Sequence, residues 1–175
     1  MSLIRAVFAL FLLAFLAGCQ NVGEMEKPAP AMLTAEAAGH YCQMIILEHA
    51  GPKAQVHLAG FTAPLWFSQV RDGIAYLKSP EQSAKVIVLY VNDMGIAPSW
   101  EKPGEDNWID ANDAFYVVGS DAIGGMGTPE IVPFALMEKA NEFAAERGGE
   151  VLAFKDITAQ MVLSPLDFQT DAQGE

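Results

Sequence analysis

The sequence reads as an α+β protein built from two similar strand-strand-helix-strand units, an internal repeat in which each small antiparallel or mixed sheet carries one helix. Three observations lead there. Two stretches with helical spacing of apolar residues each follow a proline, Pro64 and Pro133, and each ends at a breaker, Ser79-Pro80 or Gly148-Gly149. Each is followed by an apolar strand that closes on an aspartate, Lys85–Val91 before Asn92-Asp93 and Glu150–Phe154 before Asp156. Each is preceded by two short apolar runs separated by turn residues. With 51% apolar and 18% charged residues, the chain can bury a core of its own.

In chain order, Arg5 precedes an uninterrupted apolar run, Ala6–Leu16, that is too short to span a bilayer and suits a secretory signal. Leu16-Ala17-Gly18-Cys19 follows, so residues 1–18 read as a lipoprotein signal peptide and Cys19 as the lipidated first residue of the mature chain. Each buried CH₂ contributes about 0.8 kcal/mol, so two or three acyl chains anchor stably. Gln20 after the lipid-bearing cysteine points to the outer membrane. Residues 19–38, rich in Pro, Ala and charge, read as a flexible tether.

The first unit is placed at 39–94. Met44–Leu47 is expected as a strand, Ala50–Lys53 as a turn and Gln55–Leu58 as a second strand. A helix is expected from Pro64, with Trp66, Phe67, Val70, Ile74 and Leu77 on one face and Gly73 as a weak spot. Residues 95–107 form a linker in which Trp100, together with Trp108, is expected to pin the halves. The second unit, 108–163, holds strands at Trp108–Asp110 and Ala114–Val118, a glycine-rich loop from Gly119 to Thr128, and a helix from Pro133 with Phe134, Met137, Ala140 and Ala144 on one face. A polar tail, 164–175, ends the chain.

The net charge of −12 disfavours nucleic acid and electrostatic docking on anionic lipid; membrane attachment is left to the lipid. No Gly-x-x-x-x-Gly-Lys-Ser/Thr pattern is present and Asp121 and Glu130 flank the glycine-rich stretch, which excludes a nucleotide site. With the Cys19 sulfur in a thioether, Cys42 is the one thiol left, in an oxidising compartment. In an extended Cys42-Gln43-Met44 the two sulfurs point to one side, and a thiolate beside a thioether is a soft pair that selects Cu(I). Met126, between Gly125 and Gly127, has little to pack against and can be projected by a flexible loop as a third soft donor. His49 is a possible imidazole ligand, or a residue hydrogen-bonded within the Gly51-Pro52 turn. The bland alternative is a buried, inert Cys42 with Met44 as strand core and Met126 resting on the surface.

Cys42-Gln43-Met44-Ile45, His49-x-Gly51-Pro52-Lys53-Ala54-Gln55, Trp108-Ile109-Asp110-Ala111, Ala114-Phe115-Tyr116-Val117, Gly125-Met126-Gly127 and Val132-Pro133-Phe134, following the lipoprotein signal, resemble the NosL family from His40 to Asp156. The resemblance implies a periplasm-facing lipoprotein, not an enzyme, that binds Cu(I) and delivers it to nitrous oxide reductase and its maturation machinery. It also implies a fold of two strand-strand-helix-strand units, related in structure to organomercurial lyase. The family's Cys-x-Met motif falls on Cys42 and Met44, and its loop methionine on Met126. The second cysteine that some relatives carry ahead of this motif is missing here. Two other classes stay open on the sequence: a cysteine-dependent enzyme, with Asp110 or Asp113 as its carboxylate, and a structural lipoprotein without metal.

Overall fold

A computed structural model describes residues 26–164; the expected signal peptide, Cys19 and the expected tail from 165 onward lie outside it. Among the described residues no helix is long and apolar enough to cross a membrane. The elements are β1 (Ala54–Leu58), β2 (Leu65–Phe67), α1 (Val70–Lys78), β3 (Val86–Asn92), β4 (Trp108–Asp110), β5 (Phe115–Val118), β6 (Val132–Phe134), α2 (Met137–Arg147), β7 (Glu150–Ala153) and α3 (Ala159–Leu163). Two antiparallel sheets result, in the orders β2-β1-β3-β4 and β6-β5-β7. The shared order, with the first strand of each unit in the middle, matches the expected α+β architecture of two strand-strand-helix-strand units.

Four expected elements are corrected. Both helices start later than their prolines. Leu65-Trp66-Phe67 pairs with β1, Ala54 opposite Phe67, and Val132-Pro133-Phe134 pairs with β5, Phe115 opposite Phe134. A proline φ near −65° suits an edge strand as well as a first helical turn. The open edges of β1 and β5 decide between them. Met44–Leu47 is not a strand: Gln43 takes a left-handed φ of 58°, Ile45 makes one bridge to Ala38, and Ile46–Glu48 forms a 3₁₀ turn. Trp108–Asp110 is a strand, but it joins the first sheet through β3, with Val91 opposite Ile109, and does not open the second.

The described part of the expected tether, 19–38, is not flexible linker. Leu33 and Ala37 are buried with Ile46 beneath Trp66 and Trp108. The Gln55 amide bonds both the N–H and the carbonyl of Ala31, the Tyr90 hydroxyl donates to the Pro28 carbonyl, and Lys27 pairs with Asp110. Residues 27–38 are therefore held on the first sheet.

The main core crosses both units. Val56, Phe67, Val70, Ile74, Leu89 and Val91 pack with Tyr116, Ile131 and Ile157 in one cluster. Cross-unit polar ties reinforce it. The α1 N-cap residue, Gln69, makes no side-chain cap bond. Instead the Glu130 carboxylate accepts from the backbone of Val70 (3.3 Å) and Arg71 (3.0 Å). In the other direction, Asp93 Oδ1 accepts from Ala135 N (3.0 Å), just ahead of α2, and Met94 N donates to Pro133 O (2.9 Å). Trp100 spans the halves as expected, lying against Gly51 and in the second cluster with Phe134. Met137 is exposed, and Ala140 alone of α2 is fully buried.

Gly73 is a close approach more than a weak spot. A Cβ there would stand 2.7 Å from Ala54 Cβ, an atom with no rotamer to move, and 3.4 Å from Leu89. Gly73→Ala gains about 1 kcal/mol of helix propensity but overpacks the helix-sheet contact at about 1–3 kcal/mol. The expected net result is a lower urea midpoint at unchanged m-value. An unchanged or raised midpoint would show that α1 can lift off β1 without cost.

Candidate metal centre

Two loops from opposite ends of the sequence build the site. The first is a tight turn in residues 38–45. Gly39 N bonds Met44 O (2.9 Å), Gln43 N bonds Gly39 O (2.8 Å), and Gln43 Nε2 donates to His40 O (2.8 Å), so the turn satisfies its own carbonyls. Cys42 sits at its tip, half-buried, free, and 3.3 Å from Ser68 Oγ. Gly39 makes room for it: a Cβ at 39 would lie 2.5 Å from Cys42 Sγ.

The second loop is the glycine-rich stretch. Gly124 N bonds Thr128 O (2.8 Å), Gly127 N bonds Gly124 O (2.9 Å), and Gly127 has a φ of 74°, which leaves Met126 at the apex. The loop is packed down, contrary to the flexible presentation expected from its composition. A Cβ at Gly124 would lie 2.7 Å from both Gln69 Oε1 and Glu130 Oε2; one at Gly125 would lie 2.6 Å from His49 Cβ and 2.9 Å from Ala50 O. These glycines let one backbone lie on another, which is a second use of the residue beside conformational freedom.

Between the loops lies a cavity of about 310 Å³ with Cys42 and Met126 both in its wall. His40, Tyr41, Gln69 and Asp72 line it as well. The His40 ring is seated edge-on against Phe67 (5.6 Å) and Tyr76 (5.5 Å). Burial raises the Asp72 carboxyl above its ordinary pKa, opposed by the hydrogen bond from Gln69. Burial likewise raises the Tyr41 phenol.

The other sequence candidates stand apart from the cavity. Met44 is exposed and does not line it; because Gln43 is left-handed, the alternation that would aim both sulfurs to one side does not hold. His49 Nδ1 lies 2.9 Å from Gly125 O and its Nε2 is buried with no partner. The histidine therefore braces the methionine loop from beneath and bonds across the units, not within its own turn. Its face opens on a second hollow of about 570 Å³ with Leu47, Lys53 and Glu105. Asp110 is engaged by Lys27 and Asn112, and neither it nor Asp113 lines the Cys42 cavity. His40 is the donor that the sequence reading passed over; its place two residues before Cys42 in one short turn was the available signal.

The cavity thus offers a thiol, a thioether and an imidazole. Among the described residues no three His, Cys, Asp or Glu side chains gather into a group able to hold a metal, so a site here depends on sulfur from methionine. Thiolate and thioether are soft donors with a preference for monovalent copper.

Comparison with known proteins agrees with this chemistry. The NosL family model matches residues 30–162. The copper-binding lipoprotein NosL of Achromobacter cycloclastes is 50% identical over 98% of this chain and 89% of its own. The protein of the same name from Stutzerimonas stutzeri is 34% identical over 90% of this chain and 82% of its own. The crystal structure of the copper chaperone NosL from Shewanella denitrificans superposes with a TM-score of 0.70 at 34% identity, covering 76% of this chain and 97% of that one. Family match, identity and fold coincide over the segment that carries both loops, and the chain belongs to the NosL family.

Proposed function

We propose that this chain is a copper-carrying lipoprotein that holds Cu(I) between Cys42 and Met126 and passes it on for assembly of the copper centres of nitrous oxide reductase. The observation that supports this most directly is the shared cavity: two sulfur donors 84 residues apart in sequence line one hollow. The relatives' names, copper-binding lipoprotein and copper chaperone, support it independently. A third donor completes the site. Met44, on the same turn as Cys42, would reach in by a rotamer change, and His49 by giving up its bond to Gly125. His40 already lines the cavity.

Low coordination by sulfur suits transfer. The metal binds as cargo, and Met126, 36% exposed at the rim, is the donor an acceptor's ligand can displace first while the thiolate holds on. Cys19, outside the described residues, would carry the lipid that keeps the protein on the periplasmic face of the outer membrane. The acidic surface would steer a partner with a basic docking face.

The test is titration of the mature chain, lipidated at Cys19 in detergent so that Cys42 is its one thiol, with Cu(I) in competition with a chromophoric chelator. One copper per chain is expected, with two sulfur scatterers by X-ray absorption where an imidazole is the third donor and three where Met44 is. Met126→Leu should remove one sulfur and weaken binding roughly tenfold or more. A full sulfur count in that variant would remove Met126 from the site. Failure of the loaded protein to yield copper to apo-nitrous oxide reductase, alone or with its assembly factors, would remove the partner.

A further inference from the structure

We infer that Gln69 is the positioning residue of this site: its buried amide clasps the Met126 loop to the first unit and so presets the thioether over Cys42. The inference rests on the copper reading above and deepens it.

Gln69 is 2% exposed and stands at the N-terminus of α1, where a glutamine would ordinarily be solvated or turned back on its own helix. Its side chain instead points at the other unit. Oε1 accepts from Met126 N (3.3 Å) and from the Thr128 hydroxyl (3.2 Å); Nε2 lies within bonding distance of Thr128 Oγ1 (2.9 Å) and of Asp72 Oδ1 (3.0 Å). The Thr128 oxygen accepts from Nε2 through a lone pair while its hydrogen is free for Oε1, so one hydroxyl meets both ends of the amide. Asp72 fixes the amide's orientation by accepting from Nε2, which leaves Oε1 facing the loop.

The backbone alone does not seat the loop. Met126 N has Gln69 as its hydrogen-bond acceptor, and the internal loop bonds run between Gly124, Gly127 and Thr128. Gly124 lies directly on Gln69 Oε1, so only a residue without a side chain lets the amide reach that far. One bond of the clasp thus ends on the residue that bears the donor sulfur and the other on Thr128 two residues on, while His49 holds Gly125 from beneath. A clasp elsewhere on the loop would stabilise the fold without specifying where Met126 sits.

A purely structural glutamine and a positioning one make different forecasts, and a double-mutant cycle separates them. Gln69→Leu keeps the bulk and removes every bond of the clasp. In the mature chain it should weaken Cu(I) binding about 10–100-fold, the usual cost of losing a group that orients a metal ligand. X-ray absorption of the loaded variant should show one sulfur fewer. In the Met126→Leu background the same change should have no further effect on affinity. Thr128→Val, at a half-exposed position, removes only the hydroxyl half of the clasp and should give a smaller loss in the same direction, which keeps the test open if Gln69→Leu folds poorly.

Additive losses in the double variant, or wild-type sulfur count and affinity in both Gln69→Leu and Thr128→Val, would overturn the inference. If Met126→Leu itself leaves copper binding unchanged, Met126 is not a ligand, and the ligand-presenting role of Gln69 fails with that part of the copper reading. Amide exchange at Met126 in the metal-free protein then reports the clasp alone: faster exchange in Gln69→Leu means that Gln69 holds the loop, and unchanged exchange means that it does not.

Discussion

Cys42→Ser is expected to abolish stoichiometric Cu(I) binding, with a loss well beyond the roughly 100-fold that removal of an orienting partner costs. A Cys42 thiolate is the one anionic sulfur the described structure offers; the cavity's thioether and imidazole are neutral, and the Asp72 carboxyl is a hard oxygen donor that suits monovalent copper poorly. A serine hydroxyl keeps the contact with Ser68 Oγ and the shape of the turn, so folding should be preserved and the effect confined to metal. Chelator competition on the mature protein checks it. In the proposed site copper competes with protons for the ligating sulfur, so wild-type affinity should fall as the solution is acidified. Retention of one copper at wild-type affinity in Cys42→Ser would mean that the metal sits elsewhere. Alkylation provides a second readout: copper should protect the Cys42 thiol in the wild type, whose exposure is intermediate and therefore permits reaction when metal-free.

The second large effect concerns stability and pH. Glu130 is fully buried; complete burial pushes its carboxyl up to about 8, against the opposing pull of backbone N–H groups from Arg71 and Ile131 and of the Lys53 charge. Lys53, 1% exposed, donates to the carbonyls of Ala50, Gly51 and Ser68, and burial lowers its ammonium to about 8. In the unfolded chain these groups titrate near 4.5 and 10.5. The folded chain therefore keeps the Glu130 proton that the unfolded chain has released between pH 4.5 and about 8, and the Glu130 contribution to stability declines as pH rises through that window. Above about 8 the folded chain has released the Lys53 proton that the unfolded chain retains to 10.5, and the Lys53 contribution recovers. The slope on the acid side approaches about 1.4 kcal/mol per pH unit at most.

Glu130→Gln keeps one neutral acceptor, for the oxygen that Arg71 and Ile131 share, gives up the longer bond from Val70 to the other oxygen, and should remove this slope. The quantity to measure is the difference between wild-type and variant unfolding free energies by urea at several pH values, since the other carboxylates cancel in it. The variant should gain on the wild type steadily from pH 5 to 8. Parallel curves would show that Glu130 is ionised throughout, held so by its N–H donors and Lys53.

Glu130 also illustrates what a sequence can and cannot disclose. In the sequence it was a negative charge beside the glycine-rich loop, useful only for excluding a phosphate. In the fold it caps a helix whose first residue is 60 positions away. The Pro64 and Pro133 helices misplace their starts for a related reason: whether Leu65–Phe67 and Val132–Phe134 become strands depends on the open edges of β1 and β5. Trp108–Asp110 was legible as a strand from its own residues, but its sheet was not.

The residues by themselves determined strands β1, β3, β5 and β7, the helix ends at Ser79 and Gly148, the two-unit order, and the soft side-chain chemistry of Cys42 and Met126. Those properties are local: they follow from backbone preference and side-chain type. Only the tertiary structure decided that Cys42 and Met126 share a cavity, that Met44 and His49 stand outside it, and that His40 and Gln69 enter it. Those outcomes hang on one left-handed residue at Gln43, on glycines that let two backbones touch, and on bonds between loops far apart in the chain. Such pairings carry no period and no spacing to read, because their energy exists only once the two units have met.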